Sequence, residues 1–342
     1  QSPMYLVCRL LLEKKKSQQN QKFYFFCQKA NQLISSDLDS SGYYIEKAIT
    51  IAKNQQLWDA YFLKGLMQYQ KKEYNNAINS YKIALEYAKP HLIIYTKNNL
   101  ANSLFEAKKY KKSYKLAKEV AQYYEKTNFS RIYDVYGIIA KIHAKQGRLD
   151  SARHYFAQAM AAIPVAHDHH QQVTVGFWAA QADMYREAAQ YDLALVLYQR
   201  AGRLQKTPHK VTEYLLHRAK CRLQMQQWTL ARQLLAKARP SLGAHLANRA
   251  QWLQAHAQLQ YHQGQRQALD STYTQLSQLI KAHGPQLNRA DLQQYIDVQT
   301  QIHQHIQQLN QQATRQAQQK AQRWLGRLGG GVLLVLACLG WL

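Results

Sequence analysis

The sequence predicts an all-α protein, an α-solenoid of helix hairpins. Three observations carry that prediction. Only 14 glycines and 6 prolines punctuate 342 residues, too few for a turn-dense β protein. Apolar residues recur at helical spacing through most of the chain, and the helical stretches come in pairs. Within each pair, small residues sit where two helices would touch, and the arrangement repeats along the sequence.

The repeats can be taken in order. A degenerate first unit is expected to form helices near 19–34 and 39–53, with Ala48 in the closing small position. The clearest unit has Tyr61 and Gly65 in its first helix, the turn KKEY ending at Tyr74, and Ala77, Tyr81 and Ala84 in its second, with Pro90 closing it. The next has Ala101, then Tyr110, Ser113, Ala117 and Val120. Tyr136 and Ala140 follow, then the turn QGRLD and Ala152, Phe156 and Ala159. Trp178, Ala182 and Tyr185 precede Tyr191, Ala194, Tyr198 and Ala201; Leu215 and Ala219 precede Trp228, Ala231, Leu235 and Ala238. The last and weakest unit has Leu253 and Ala257, the turn HQGQR, then Leu269 and Tyr273. Small residues let antiparallel helices approach closely, and an aromatic ring fills the remaining space. One hairpin cannot bury its apolar face alone, so neighbours must stack.

These residues resemble tetratricopeptide repeats, whose pattern sets Trp, Leu, Gly and Tyr in the first helix and Ala, Phe, Ala and Pro in the second. The resemblance spans residues 19–283 and implies a right-handed superhelix of six or seven units, the first and last degenerate. Only Gly65 supplies the glycine of the pattern; five units carry Ala. Matching small residues are 36 to 42 apart, against ~34 in the plain repeat. The longer period is similar to arrays in bacterial membrane-bound signalling proteins.

The flanks differ from the array. Residues 1–18 form an N-terminal segment whose apolar run, MYLVCRLLL at 4–12, is broken by Arg9 and followed by Lys14, Lys15 and Lys16, the reverse of a signal peptide's order. A polar connecting helix is expected over 284–323, with Leu292, Ile296, Val298, Ile302, Ile306 and Leu309 as its apolar stripe. Residues 328–342, LGGGVLLVLACLGWL, carry no charge and reach roughly 22 Å as a helix. A transmembrane helix over 324–342, continuing beyond Leu342, is the expectation, with Trp324 at the headgroups and Lys320, Arg323 and Arg327 outside. Those cations place the array on the cytoplasmic side, whereas the signalling resemblance places it outside the cytoplasm.

The formal charge of +25 comes from 45 Lys plus Arg against 20 Asp plus Glu. It divides almost evenly, +13 before residue 146 and +12 after, although the first part uses 22 Lys and 2 Arg and the second 6 Lys and 15 Arg. That break runs through the repeat and so marks no change of fold. An even spread weakens a nucleic-acid reading, and many Tyr residues, such as Tyr74, Tyr81 and Tyr110, occupy packing positions. Cysteines at 8, 27, 221 and 338 form no CxxC pair, which excludes a thiolate zinc site. His167, Asp168, His169 and His170 read as a solvated inter-repeat turn, and His303 and His305 point to different faces of a helix. No nucleophile–base motif or phosphate-cradling loop occurs. The expectation is therefore a non-enzyme with no cofactor and no metal.

By the resemblance, the first helices line a groove that binds an extended peptide or a helix. Phe62, Tyr69, Asn98, Asn102, Lys141, Arg186 and Lys220 are the candidate groove residues. Leu66, Tyr95, Phe105, Asp183, Gln258 and Tyr261 flank them. An Asn amide can both donate to and accept from a peptide backbone, and Lys can hold a carboxylate. Asn98 stands where a C-terminal carboxylate clamp would need Lys, so a carboxylate-ended ligand is not expected. The function expected is protein or peptide recognition, as the sensory or scaffolding part of a membrane-anchored regulator. Binding of RNA, DNA or anionic lipid by the basic surface is the alternative, and a tail-anchored assembly factor a second one.

Overall fold

The computed structural model describes residues 18–164, 170–243, 245–284 and 289–339. All regular structure in them is helical, in two compact units divided between Gln205 and Lys206. The first unit holds five hairpins: α1 Gln18–Leu33 with α2 Leu38–Ile51, α3 Gln56–Gln70 with α4 Tyr74–Glu86, α5 Pro90–Glu106 with α6 Tyr110–Thr127, α7 Ile132–Lys145 with α8 Leu149–Ala161, and α9 His170–Glu187 with α10 Tyr191–Leu204. The second holds α11 Pro208–Gln224 with α12 Trp228–Ala238, α13 Leu246–His262 with α14 Arg266–His283, and the long α15 Arg289–Leu339. The degenerate first repeat is thus a complete hairpin.

Local sequence sets the helix ends. Asp37 caps α2 by accepting the N–H groups of Asp39 at 3.2 Å and Ser40 at 3.0 Å, which would otherwise lack partners. Pro90 and Pro208 stand in the first turn of α5 and α11, where a missing N–H costs nothing. Pro90 therefore opens a helix as much as it closes the preceding unit. Six hairpin turns share one device. Lys72, Lys108, Gly147, Ala189, Gln226 and Gly264 take positive φ. The next residue's N–H then reaches back five residues, as from Glu73 to Gln68 O at 2.8 Å and from Gln190 to Tyr185 O at 2.8 Å. This satisfies carbonyls at the helix end and reverses the chain within two residues.

Packing follows the small-residue positions. Ala77, Ala84, Ala117, Ala152, Ala159, Ala194, Ala201, Ala231 and Ala238 are fully buried. Where Ser replaces Ala, its hydroxyl needs an acceptor in the interior: Ser113 donates to Ala101 O at 2.7 Å and Ser41 to Ala30 O at 2.9 Å. Gly65 is required by contact, because a Cβ there would lie 2.7 Å from the Tyr81 ring. The Lys-to-Arg break falls between α7 and α8, which pack together as a single hairpin.

In the second unit, α15 lays its apolar stripe on α13 and α14. Tyr295, Val298, Ile302 and Ile306 are buried against Leu253, Leu276 and Leu279. The stripe expected from sequence needs one correction. Ile296 is 40% exposed, and Tyr295, 1% exposed, takes its place, giving helical spacings of three, four and four through Ile306. From Gln311 to Trp324 the helix is exposed on every side. No helix among the described residues is long and apolar enough to cross a membrane. The backbone of the apolar C-terminal run is helical to Leu339, whereas 340–342, like residues 1–17, lie outside the described residues.

Candidate functional site

The first helices of the first unit bring several of the expected groove residues together. The α3 and α5 helices are joined at one end by Trp58, whose Nε1 donates to Thr96 Oγ1 at 2.9 Å. Phe62 stacks on Trp58 with ring centroids 4.9 Å apart and meets Tyr81 edge-on at 5.6 Å. At the other end, Asn102 Nδ2 donates to the Tyr69 hydroxyl at 2.9 Å. That hydroxyl is also hydrogen-bonded to Glu106; burial and the Glu106 carboxylate push the phenol well above its usual range. Lys141 on α7 sets its ammonium over the Phe105 ring, 5.2 Å from the centroid. Burial pulls the Lys141 ammonium below its ordinary pKa, while Glu106 and Asp134 support its charge.

Phe62, Tyr69, Asn102, Glu106 and Lys141 are half-buried rather than freely exposed, whereas Trp58, Tyr81 and Phe105 belong to the core. One property stands out on α5. Asn98 and Asn102 lie one turn apart, and the Oδ1 of each is buried without a hydrogen-bond partner among the described residues. An unmet buried acceptor costs about 1–3 kcal/mol. The face thus combines two amide acceptors in need of donors, a carboxylate, a shielded ammonium and aromatic rings.

Other expected residues fall elsewhere. Arg186 on α9 donates through Nη2 to Asp183 Oδ1 at 3.0 Å and through Nε to the Tyr198 hydroxyl at 3.1 Å. Tyr198 donates to the same carboxylate at 2.6 Å. Arg186 therefore braces the α9–α10 hairpin. Lys220 is in the second unit, its Nζ 3.5 Å from Gln251 Oε1. Three members of the His-rich turn, 167–169, lie outside the described residues; the His170 ring contacts Pro164 O at 3.1 Å. His305 stacks on Tyr261 at 4.3 Å while His303 is exposed. Glu106 and Trp58 were not among the predicted residues. A carboxylate one turn after Asn102 was the only available signal for Glu106.

Paired helices, small-residue contacts and left-handed turn residues recur in both units. The fold is that of a tetratricopeptide-repeat protein. Solved structures agree with the geometry. The apo quorum sensor NprR from B. thuringiensis aligns with a TM-score of 0.65 at 12% identity, over 90% of this chain and 89% of that one. A Rap protein complexed with competence and sporulation factor aligns at 0.60 and 13% identity, over 90% of each chain. NprR in complex with its cognate peptide NprX aligns at 0.56 and 13%, over 71% of this chain and 75% of that one. At such identities the likeness is one of fold. No family model matches the sequence, and no curated protein matches it either.

Proposed function

We propose that this protein is a non-catalytic recognition scaffold that binds a peptide, or an extended segment of a protein, on the face formed by α3, α5 and α7. The observation that carries the reading is the pair of unmet amide acceptors at Asn98 and Asn102. With the two side-chain amides turned toward the face, a peptide's backbone N–H groups would satisfy them, Lys141 and Glu106 would meet its charged groups, and Phe62 and Tyr69 would support its apolar side chains. The peptide named with NprR is consistent with such use of the fold. Membrane anchoring, as the sensory part of a regulator, rests on the apolar composition of 328–342.

A second reading has its own support on α6. Lys111, Lys115 and Lys118 are exposed along one face, while the acids of that helix are engaged, Glu119 by Lys97 and Glu125 by Tyr136. Such a face attracts polyanions. Selection of peptides from a random displayed library, followed by affinity measurement at two salt concentrations, separates the readings. Groove recognition predicts binding that survives high salt and is lost in Asn98→Ala/Asn102→Ala. RNA or lipid binding that collapses with salt and needs Lys115 and Lys118 would replace it.

A further inference from the structure

The second unit contains an open cavity of about 670 Å³ lined by the turn after α12 and by α13 and α14. It arises from a mismatch in helix length. The α12 helix has 11 residues and stops at Ala238, where Pro240 enters a 3₁₀ turn, while α14 has 18 residues. The space beside the longer helix is left unfilled by protein.

Its lining is mixed: Leu242, Leu253 and Leu279 form an apolar floor, and the charged groups on it are cationic. Arg239 and Arg249 both face the cavity, no Asp or Glu lines it, and neither guanidinium has an ion pair among the described residues. Trp252 is fixed in place, its Nε1 donating to Leu235 O at 2.9 Å. His256 stacks on the Trp252 ring at 4.4 Å, with Arg239 at 5.8 Å from the same ring. The Nδ1 of His256 is buried without a partner. Ser271, Gln275 and Gln278 on α14 complete the rim.

Two guanidiniums without carboxylates, beside an imidazole nitrogen lacking a partner, favour a compact oxyanion. The volume exceeds what inorganic phosphate needs and falls in the range of small-molecule sites. The hydroxyl and amide groups of α14 suit a hydroxylated body. We infer that this cavity binds a small phosphomonoester with a hydroxylated body, held by Arg239 and Arg249 at the phosphate and by the α14 side chains at the hydroxyls. The cavity belongs to the second unit and the proposed peptide-binding face to the first.

The test is calorimetric titration of the full chain, at fixed ionic strength, with glucose 6-phosphate, inorganic phosphate and glucose. Glucose 6-phosphate should bind most tightly, phosphate more weakly, and glucose not at all. Arg239→Gln and Arg249→Gln should each weaken glucose 6-phosphate binding by about tenfold or more, with unchanged helical circular dichroism. Lys115→Gln, in the other unit, should leave it unchanged. In the NMR spectrum the His256 imidazole resonances should move with glucose 6-phosphate and stay still with glucose. The inference is overturned by absence of glucose 6-phosphate binding, by equal binding of glucose, by unaltered affinity in both Arg variants, or by an equal loss in Lys115→Gln, which would mark general charge attraction.

Discussion

Replacing Gly65 by alanine tests the packing logic of the hairpins at its tightest point. The new Cβ would lie 2.7 Å from Tyr81 Cε1 and 2.9 Å from both Cδ1 and Cζ. Tyr81 is 1% exposed and held edge-on by Phe62, so its ring has no free space to enter. Overpacking of this kind costs about 1–3 kcal/mol. Alanine is the better helix former by up to about 1 kcal/mol, which offsets part of the cost. The expected net destabilisation is about 1–2 kcal/mol, concentrated on α3 and α4. Urea denaturation followed by circular dichroism measures the total, and hydrogen exchange of α3 and α4 amides localises it. In a Tyr81→Leu background the alanine penalty should disappear, a coupling that a double-mutant cycle reads directly. If Gly65→Ala is as stable as the parent, or is equally harmful without the tyrosine ring, close approach at Gly65 is not what holds this hairpin together.

Four of the six hairpin turns place a residue other than glycine at the left-handed position, and glycine should relieve them: Ala189→Gly and Gln226→Gly should each gain about 0.5–1 kcal/mol in urea melts, whereas Gly147→Ala should lose about 1 kcal/mol. Burial lifts the Asp59 carboxyl to about 7, with Lys89 opposing. Its native pKa is thus above its unfolded value, so the stability it contributes is present below about pH 4 and is lost as pH rises toward 7. Asp59→Asn should flatten that decline in unfolding measurements between pH 4 and 8. Removing the Tyr198 hydroxyl with Tyr198→Phe should cost about 1–2 kcal/mol, read as a lower urea midpoint, because Asp183 and Arg186 both lose a partner.

The repeat was legible because its signal lies at helix contacts, where only a small side chain fits. Ala77, Ala84, Ala152 and Ala159 mark helix contacts, and each is fully buried. The first hairpin, expected near 19–34 and 39–53 with Ala48 in the closing small position, forms at Gln18–Leu33 and Leu38–Ile51. Contacts between repeats were harder to read. Gly137 would set a Cβ 2.4 Å from Phe177, two residues 40 apart that no single repeat's pattern links. On α15, Ile296 looks like the core residue by hydrophobicity, but helical phase turns Tyr295 inward instead. The candidate face was half visible. Asn98, Asn102, Tyr69 and Lys141 could be named from repeat register, yet their hydrogen bonds, and the part played by Glu106, depend on how α3, α5 and α7 lie beside one another. The contacts of Arg186 were hidden for a related reason: its partner Tyr198 belongs to the second helix of its own hairpin.

Hydrogen exchange of the full chain, with and without a peptide selected for binding, tests the central claim most directly. Recognition on the proposed face predicts added protection in α5 and its neighbours α3 and α7, and no such protection in Asn98→Ala/Asn102→Ala. Protection confined to the exposed lysine face of α6, or appearing only in the second unit, would contradict it.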